Sequence, residues 1–419
     1  MNKKDHPRLN IFAFAAALLL VFMLMPGAVL ALEFPKVCYN GDELAKVREW
    51  EKTWAGKKID SSNVDGVKEF LPESFYGLIK DTDRWGKTSF TILPYETVVP
   101  SPGIVSQTRQ HYGKTKTGAN KELLNYVAGV PFPDTDNALE MAYNFRTRTY
   151  GDAYRSEDGG HIVDGKLKYD MSIKLKNNLC FFAGRTDTPP LPEFPENPKN
   201  IWRAFTMMQL APPETRNQRI MEIQYKDFMK PYDMWFWLPA VRRVKRRSTT
   251  ERQDSASGGD GCGFDNLGWD GPIRINSYKY LAQKEYLLAR HNDMDKLEHS
   301  PGHCIWNNTQ RERVKVHMLE VVNQSPNFLY SKIIWYLCPE SWQILYADRY
   351  DRRGKMWRIG DQLGNIGKGY NDVDVASFNA NQNIDLQRIH GTLGMSDKEY
   401  GYEFDKNIFS LYYLQKHGY

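Results

Sequence analysis

The stretch Met234–Ser248, MWFWLPAVRRVKRRS, joins two chemistries. MWFWL is apolar throughout, and beyond a Leu-Pro-Ala corner five cations, Arg242, Arg243, Lys245, Arg246 and Arg247, fill six positions. Alternation along a strand sends Trp235 and Trp237 to one face and Met234, Phe236 and Leu238 to the other, which predicts a strand buried on both sides. Pro239 cannot donate to a ladder, so the strand is expected to bend there, at a rim or edge. The cations past the corner fit two roles. They can guard a solvated sheet edge against aggregation, or they can dock on anionic lipid headgroups or an acidic partner, each cation near such a membrane contributing about 1 kcal/mol.

Catalytic signatures are missing from the rest of the chain. There is no G-x-S-x-G elbow, H-E-x-x-H, Walker loop or G-x-G-x-x-G between strand and helix. The nine histidines are scattered, and no C-x-x-C pair suggests zinc. Asp372-Val373-Asp374 lacks the glycine and closing glutamate of a calcium loop. The expectation is a non-enzymatic protein without cofactor or metal. Asp260, Asp265 and Asp270, in the Gly-rich loop 254–271, could gather a cation or complement the basic run; a long flexible surface loop is the expected form. Of the five cysteines, Cys304 and Cys338 flank a predicted hairpin and are the best disulfide candidates.

These residues need elements to hold them. Lys3, Lys4 and Arg8 precede the uncharged run Ile11–Met25 and the small-residue end Ala28–Ala31, which predicts a secretory signal peptide over residues 1–31. Removing a leader with three cations and one acid brings the formal charge from +5 to about +3, too mild for a nucleic-acid binder. Residues 32–88 read as a helical extension, with Leu44, Val47 and Trp54 on one helix face and a second pattern from Val64 to Ile79 interrupted at Pro72. Residues 89–419 read as the main domain. One helix opens at Thr135-Asp136 and runs to about Phe145, and PPLPEFPENPKN (189–200) reads as an extended strap. Past the strap, RAFTMMQL, RIMEIQY, MWFWL, SYKYLAQKEYLL, RVKVHMLEVV, YSKIIWYL, WQILYADRY and KMWRI follow at hairpin spacing, predicting a many-stranded antiparallel sheet. In one, Val314, Val316 and Met318 alternate with Arg313, Lys315 and His317, which are expected to meet water. In another, Ile333, Trp335 and Leu337 share one face while Ile334 makes the other apolar too, so both faces need cover.

WFWLPAVRRVKRRS, GFDNLGWDG, YLAQKEYLL, SWQILYADRYDRRGKMWRI and AGVPFPDTDNALEMAYNF resemble the bacterial domain-of-unknown-function family 1329, itself similar to periplasmic lipoprotein carriers and receptors of the LolA/LolB type. The resemblance implies an α+β fold: a strongly curved antiparallel sheet, a half-open barrel, wrapped around helices to leave an apolar cavity. It implies a periplasmic carrier in a Gram-negative bacterium, soluble or resting on the outer membrane, binding a lipid or lipidated protein. A resistance-nodulation-division exporter or an outer-membrane protein is the expected partner; a structural accessory subunit and a lipid or glycan hydrolase are the rival readings. Trp235, Phe236, Trp237, Leu238, Val314, Val316, Met318, Trp335 and Leu345 are the expected cavity residues, and the cations 242–247 the expected headgroup or partner site. Two features depart from the minimal carriers: the helical residues 33–88, and the turn Cys338-Pro339-Glu340-Ser341 before Trp342.

Overall fold

A computed structural model describes residues 32, 34–255 and 258–416, without the side chains of 249 and 250; the predicted signal peptide lies outside them. The helices are α1 (Gly41–Trp54), α2 (Glu73–Lys80), α3 (Thr82–Trp85), α4 (Pro102–His111), α5 (Ala138–Thr147) and α6 (Leu411–Lys416). The strands are β1 (Lys58–Ile59), β2 (Phe90–Ile92), β3 (Lys116–Thr117), β4 (Leu123–Leu124), β5 (Ala153–Val163), β6 (Tyr169–Phe181), β7 (Ile201–Ala211), β8 (Arg219–Tyr225), β9 (Asp233–Leu238), β10 (Arg243–Arg247), β11 (Asn276–Leu288), β12 (Thr309–Asn323), β13 (Lys332–Leu337), β14 (Ile344–Tyr350), β15 (Met356–Lys368), β16 (Asp374–Asp385) and β17 (His390–Tyr400).

Apart from the small β3–β4 pair, these strands form one sheet in the order β1-β2-β12-β13-β14-β15-β16-β17-β5-β6-β7-β8-β9-β10, with β11 beside β12. Every pairing is antiparallel except β2 with β12. Register shifts in β6, β7, β11, β13, β14 and β15 add local twist. The ends, β1 and β10, do not pair, so the curved sheet stays open.

Strand β13 shows why this sheet needs two covers. Ile334 and Tyr336 face a core built with the N-terminal region, where Val47 of α1, Val64, Val67 and Phe70 of a short 3-10 turn, and Phe75, Leu78 and Ile79 of α2 are buried. Ile333, Trp335 and Leu337 face the other way, onto Met141, Ala142, Tyr143 and Phe145 of α5 and Phe264, Trp269 and Ile273 of the Gly-rich loop. Asn137 caps α5, its side chain accepting from the Leu139 and Glu140 amides. The C-terminal segment lies on the same side as the N-terminal region: Phe409 packs on Ala153, Cys180, Ala204 and Ile223, and Leu414 on Met221 and Trp237.

Four expectations are corrected by these contacts. The cations of β12 do not simply meet water: Lys315 pairs with Glu43 of α1 at 2.7 Å, and Arg313 pairs with Glu285 at 2.6 Å while lying over Phe70. The Gly-rich loop is an internal element, because its three carboxylates are buried and each has its own partners. The hollow expected over β12–β14 is filled by α5 and that loop. Finally, Cys304 and Cys338 are both free. Pairing of His317 with Leu337 sets Cys338 level with Val316, and β12 runs on from there to Thr309, about 25 Å of extended chain, before Cys304 is approached.

Candidate functional site: an apolar stripe beside a cationic edge

Beyond the cores, the α5-facing side of β6–β9 carries Leu175, Met207, Ile220, Met234, Phe236 and Leu238, which belong to no core cluster among the described residues, whereas Phe205 on the same face packs against the core around Leu179 and Trp202. The cross-strand register builds one row from Asn177 of β6, Met207 of β7, Ile220 of β8 and Phe236 of β9. Two residues further along, on the same face, lie Leu175 and Leu238; two residues back lie Phe205 and Met234. Met207, Ile220, Met234, Phe236, Leu238 and Leu175 are all half-buried.

The stripe ends on the cations. Pro239–Val241 form a 3-10 turn and Arg242 takes a left-handed conformation (φ 48°), so the Leu-Pro-Ala corner is the turn of a hairpin and the basic run is its return strand. Pairing places Arg243 beside Leu238, Lys245 beside Phe236 and Arg247 beside Met234, all three on the stripe's own face. The Arg247 guanidinium lies 4.4 Å from the Phe236 ring centroid and pairs with Glu251 at 2.6 Å, while Arg246, on the opposite face, pairs with Asp233. Arg242, Arg243 and Lys245 are exposed and make no ion pair among the described residues. A polar end lies at the other side of the row, where Lys398 pairs in register with Ser156. Burial lowers the Lys398 ammonium to about 8 against the pull of Asp158, whose own carboxyl burial raises.

A buried ionic cluster lies on the same face, at the end of the stripe nearest α5. Asp270 of the Gly-rich loop meets Arg203 at 2.7 Å, Arg252 at 3.0 Å and Arg146 of α5 at 3.4 Å. Burial pushes this carboxyl up, but Arg203, Arg252 and Arg146 outweigh it and hold it below the ordinary range. Asp265 pairs with Arg349 at 2.9 Å, and Gly360 is required beneath that guanidinium, since an added Cβ would stand 2.5 Å from its Nη2. Asp260 meets His390 at 2.8 Å. These partners leave the loop's carboxylates holding the fold together.

The nine expected cavity residues do not share one surface. Phe236 and Leu238 lie on the stripe. Trp235 and Trp237 point to the opposite face and pack beneath the C-terminal segment with Leu414. Val314, Val316 and Leu345 are buried in the core under the N-terminal helices, with Met318 packed against it. Trp335 is buried on the other side, its ring 5.2 Å from that of Phe145. Met207 and Ile220 were missed by the sequence reading, although alternation within RAFTMMQL and RIMEIQY carries the signal, and so was Leu175, which alternates with Lys174 and Lys176 on β6. Two cavities are present among the described residues. One of about 60 Å³ between Val98, Ile104, Trp342 and Val375 is smaller than an ordinary ligand pocket of roughly 300 Å³. The other, about 710 Å³ beside α6, reaches Met207 and Ile220 of the apolar row and has a mixed lining, with the ion pairs Arg155–Glu399 and Lys176–Glu157 at its rim.

An open, curved antiparallel sheet roofed by helices, with a strip of half-buried apolar side chains beside a basic edge, defines an α+β fold. The chain belongs to the family described as Protein of unknown function (DUF1329), whose model matches residues 58–415. An uncharacterized protein of Pseudomonas aeruginosa is 24% identical over 367 residues, covering 83% of this chain and 77% of its own length. Among solved structures, a candidate outer membrane lipoprotein-sorting domain from Vibrio parahaemolyticus is 15% identical with a TM-score of 0.47, covering 66% of this chain and 98% of its own. A DUF1329 family protein from Desulfovibrio piger is 14% identical (TM-score 0.46; 66% and 96% covered), and a LolA superfamily protein from Nitrosomonas europaea is 13% identical (TM-score 0.40; 64% and 94% covered).

Proposed function

We propose that this protein is a non-catalytic carrier for an acyl-chain amphiphile with an anionic headgroup, a lipid or the lipidated end of a protein. The observation that carries this reading is the continuity of the apolar row Met207–Ile220–Phe236 with Lys245 and its neighbour Arg243 on one face. Hydrocarbon laid along the row removes apolar surface from water at about 25 cal/mol per Å², and the cations answer the headgroup's charge. The exposed edge suits reversible exchange with a membrane, since no closed lid has to open. Secretion by the leader read in residues 1–31 delivers such a carrier to the periplasm, where an envelope exporter or an outer-membrane protein is the partner to expect. No helix among the described residues is long and apolar enough to cross a membrane.

Native mass spectrometry of the full chain incubated with a monoacyl phosphatidylglycerol tests this. One or a few bound lipids are expected, lost in Phe236→Asp with the unfolding midpoint little changed. A folded protein that stays empty overturns the carrier reading and favours an accessory role.

A further inference from the structure

The turn Cys338–Ser341 is the hub at which the N-terminal segment meets the sheet. Glu340, fully buried, accepts from the Cys38 amide at 2.7 Å and the Val98 amide at 3.0 Å, from the Tyr95 hydroxyl, and from Arg290. The Cys38 thiol donates to the Lys315 carbonyl at 3.4 Å, on the strand beside Cys338. These bonds bring two cysteines that are far apart in sequence together: the Cys38 sulfur, the Cys338 sulfur and a Glu340 carboxylate oxygen lie within 4.8 Å of one another. Three such groups are also a minimal metal set, but the centre already has its cation. Arg290 Nη1 contacts Glu340 and lies 3.8 Å from the Cys338 sulfur and 4.0 Å from that of Cys38. The carboxylate's acceptor positions are spent on Arg290, Tyr95 and the two amides, which leaves a poor ligand for zinc.

We propose that Cys38 and Cys338 are a disulfide site that covalently clasps the N-terminal segment to the end of β13. The approach of the two sulfurs is set by the Glu340 carboxylate holding the Cys38 amide and by the Gln343 carbonyl holding the Cys338 amide, and side-chain rotation closes the remaining gap toward the ~2.05 Å of a bond. The chemistry is thiol–disulfide exchange with a disulfide-bearing oxidant, either an oxidoreductase or glutathione disulfide. The Cys338 thiolate attacks one oxidant sulfur and expels the other as a thiol. Cys38, losing its proton, then attacks the Cys338 sulfur of the mixed disulfide and expels the second thiol, so two electrons pass to the oxidant and one S–S bond replaces another. Once residues 34–40 have docked, burial raises the Cys338 thiol, but the Cys38 thiol and the Arg290 guanidinium outweigh it and hold it at about 6. Both sulfurs are buried in the folded chain, so the exchange belongs to folding, before residues 34–40 have docked. A bond spanning so much of the chain restricts the unfolded state strongly.

The test is to refold the full chain with glutathione disulfide, alkylate in denaturant and map the peptides. A Cys38–Cys338 cross-linked peptide is expected, with Cys180, Cys262 and Cys304 alkylated. Reduction should lower the unfolding midpoint of the wild type and leave that of Cys38→Ser unmoved. Five alkylated cysteines, a cross-link through Cys304, or a retained equivalent of zinc would each overturn the proposal. Lipid binding does not enter, so failure here leaves the carrier reading untouched.

Discussion

The two halves of the sheet are built to opposite specifications. From β12 to β14 both faces are roofed, one by α1, α2 and the turn between them, the other by α5 and the Gly-rich loop, with Val314, Val316, Trp335 and Leu345 all inaccessible. From β6 to β10 the C-terminal segment covers one face, while the other keeps Met207, Ile220, Phe236 and Leu238 half-buried up to a strand of cations. The same alternating pattern thus serves two purposes. Where both faces are apolar and cover is available in the chain, burial stabilises; where cover runs out among the described residues, the apolar face stays half-buried.

Stability should separate the halves most sharply. Trp335→Ala removes a fully buried ring and is expected to cost about 3–5 kcal/mol, whereas Phe236→Ala on the stripe should cost about 1 kcal/mol, both read from urea unfolding. Equal costs would mean that the stripe is covered after all.

The sequence made the closed half legible and the open half less so. The double-sided apolar character of Ile333–Leu337 announced two roofs, and the helix opening read at Thr135-Asp136 falls just before the Asn137 cap of α5. Strands β5, β16 and β17 were not read, because AYRSEDGGHIV, DVASFNANQNID and HGTLGMSDKEY are rich in Gly, Asn and Ser and show little apolar alternation; β17 pairs with β5 to link the two halves. The Gly-rich loop misled for a physical reason: aspartates and glycines signal solvent, yet here each carboxylate is neutralised by a distant residue (Arg203, Arg349, His390) that no local pattern reveals. The basic strand was read as chemistry, while its place as the return arm of a hairpin needed the left-handed Arg242.

A smaller effect sharpens the contrast at the edge. Neutralising Arg243 or Lys245 to Gln should weaken binding to anionic vesicles by about 1 kcal/mol, roughly fivefold, per cation, and leave the unfolding midpoint almost unchanged. Binding to zwitterionic vesicles should not respond.

The smallest effect concerns pH. The hydrogen bond to Asp260 raises His390 above its ordinary value, so this pair stabilises fully below about pH 6.5 and the contribution is lost as pH rises through the folded-state value. Burial lowers His317 to about 4, so its neutral form supports the fold above about pH 6.5 and that support is lost as pH falls toward 4. His390→Gln should flatten the alkaline side of the midpoint-versus-pH curve and His317→Gln the acid side.

The stripe itself can be interrogated directly. A fluorophore on Ile220→Cys, compared with one on the exposed Lys279→Cys of β11, should be quenched by a monoacyl anionic lipid brominated along its chain, with no quenching at 279. Bound lipid that quenches neither position, or quenches both alike, would contradict the claim that the face left open by this fold is the one that holds the hydrocarbon.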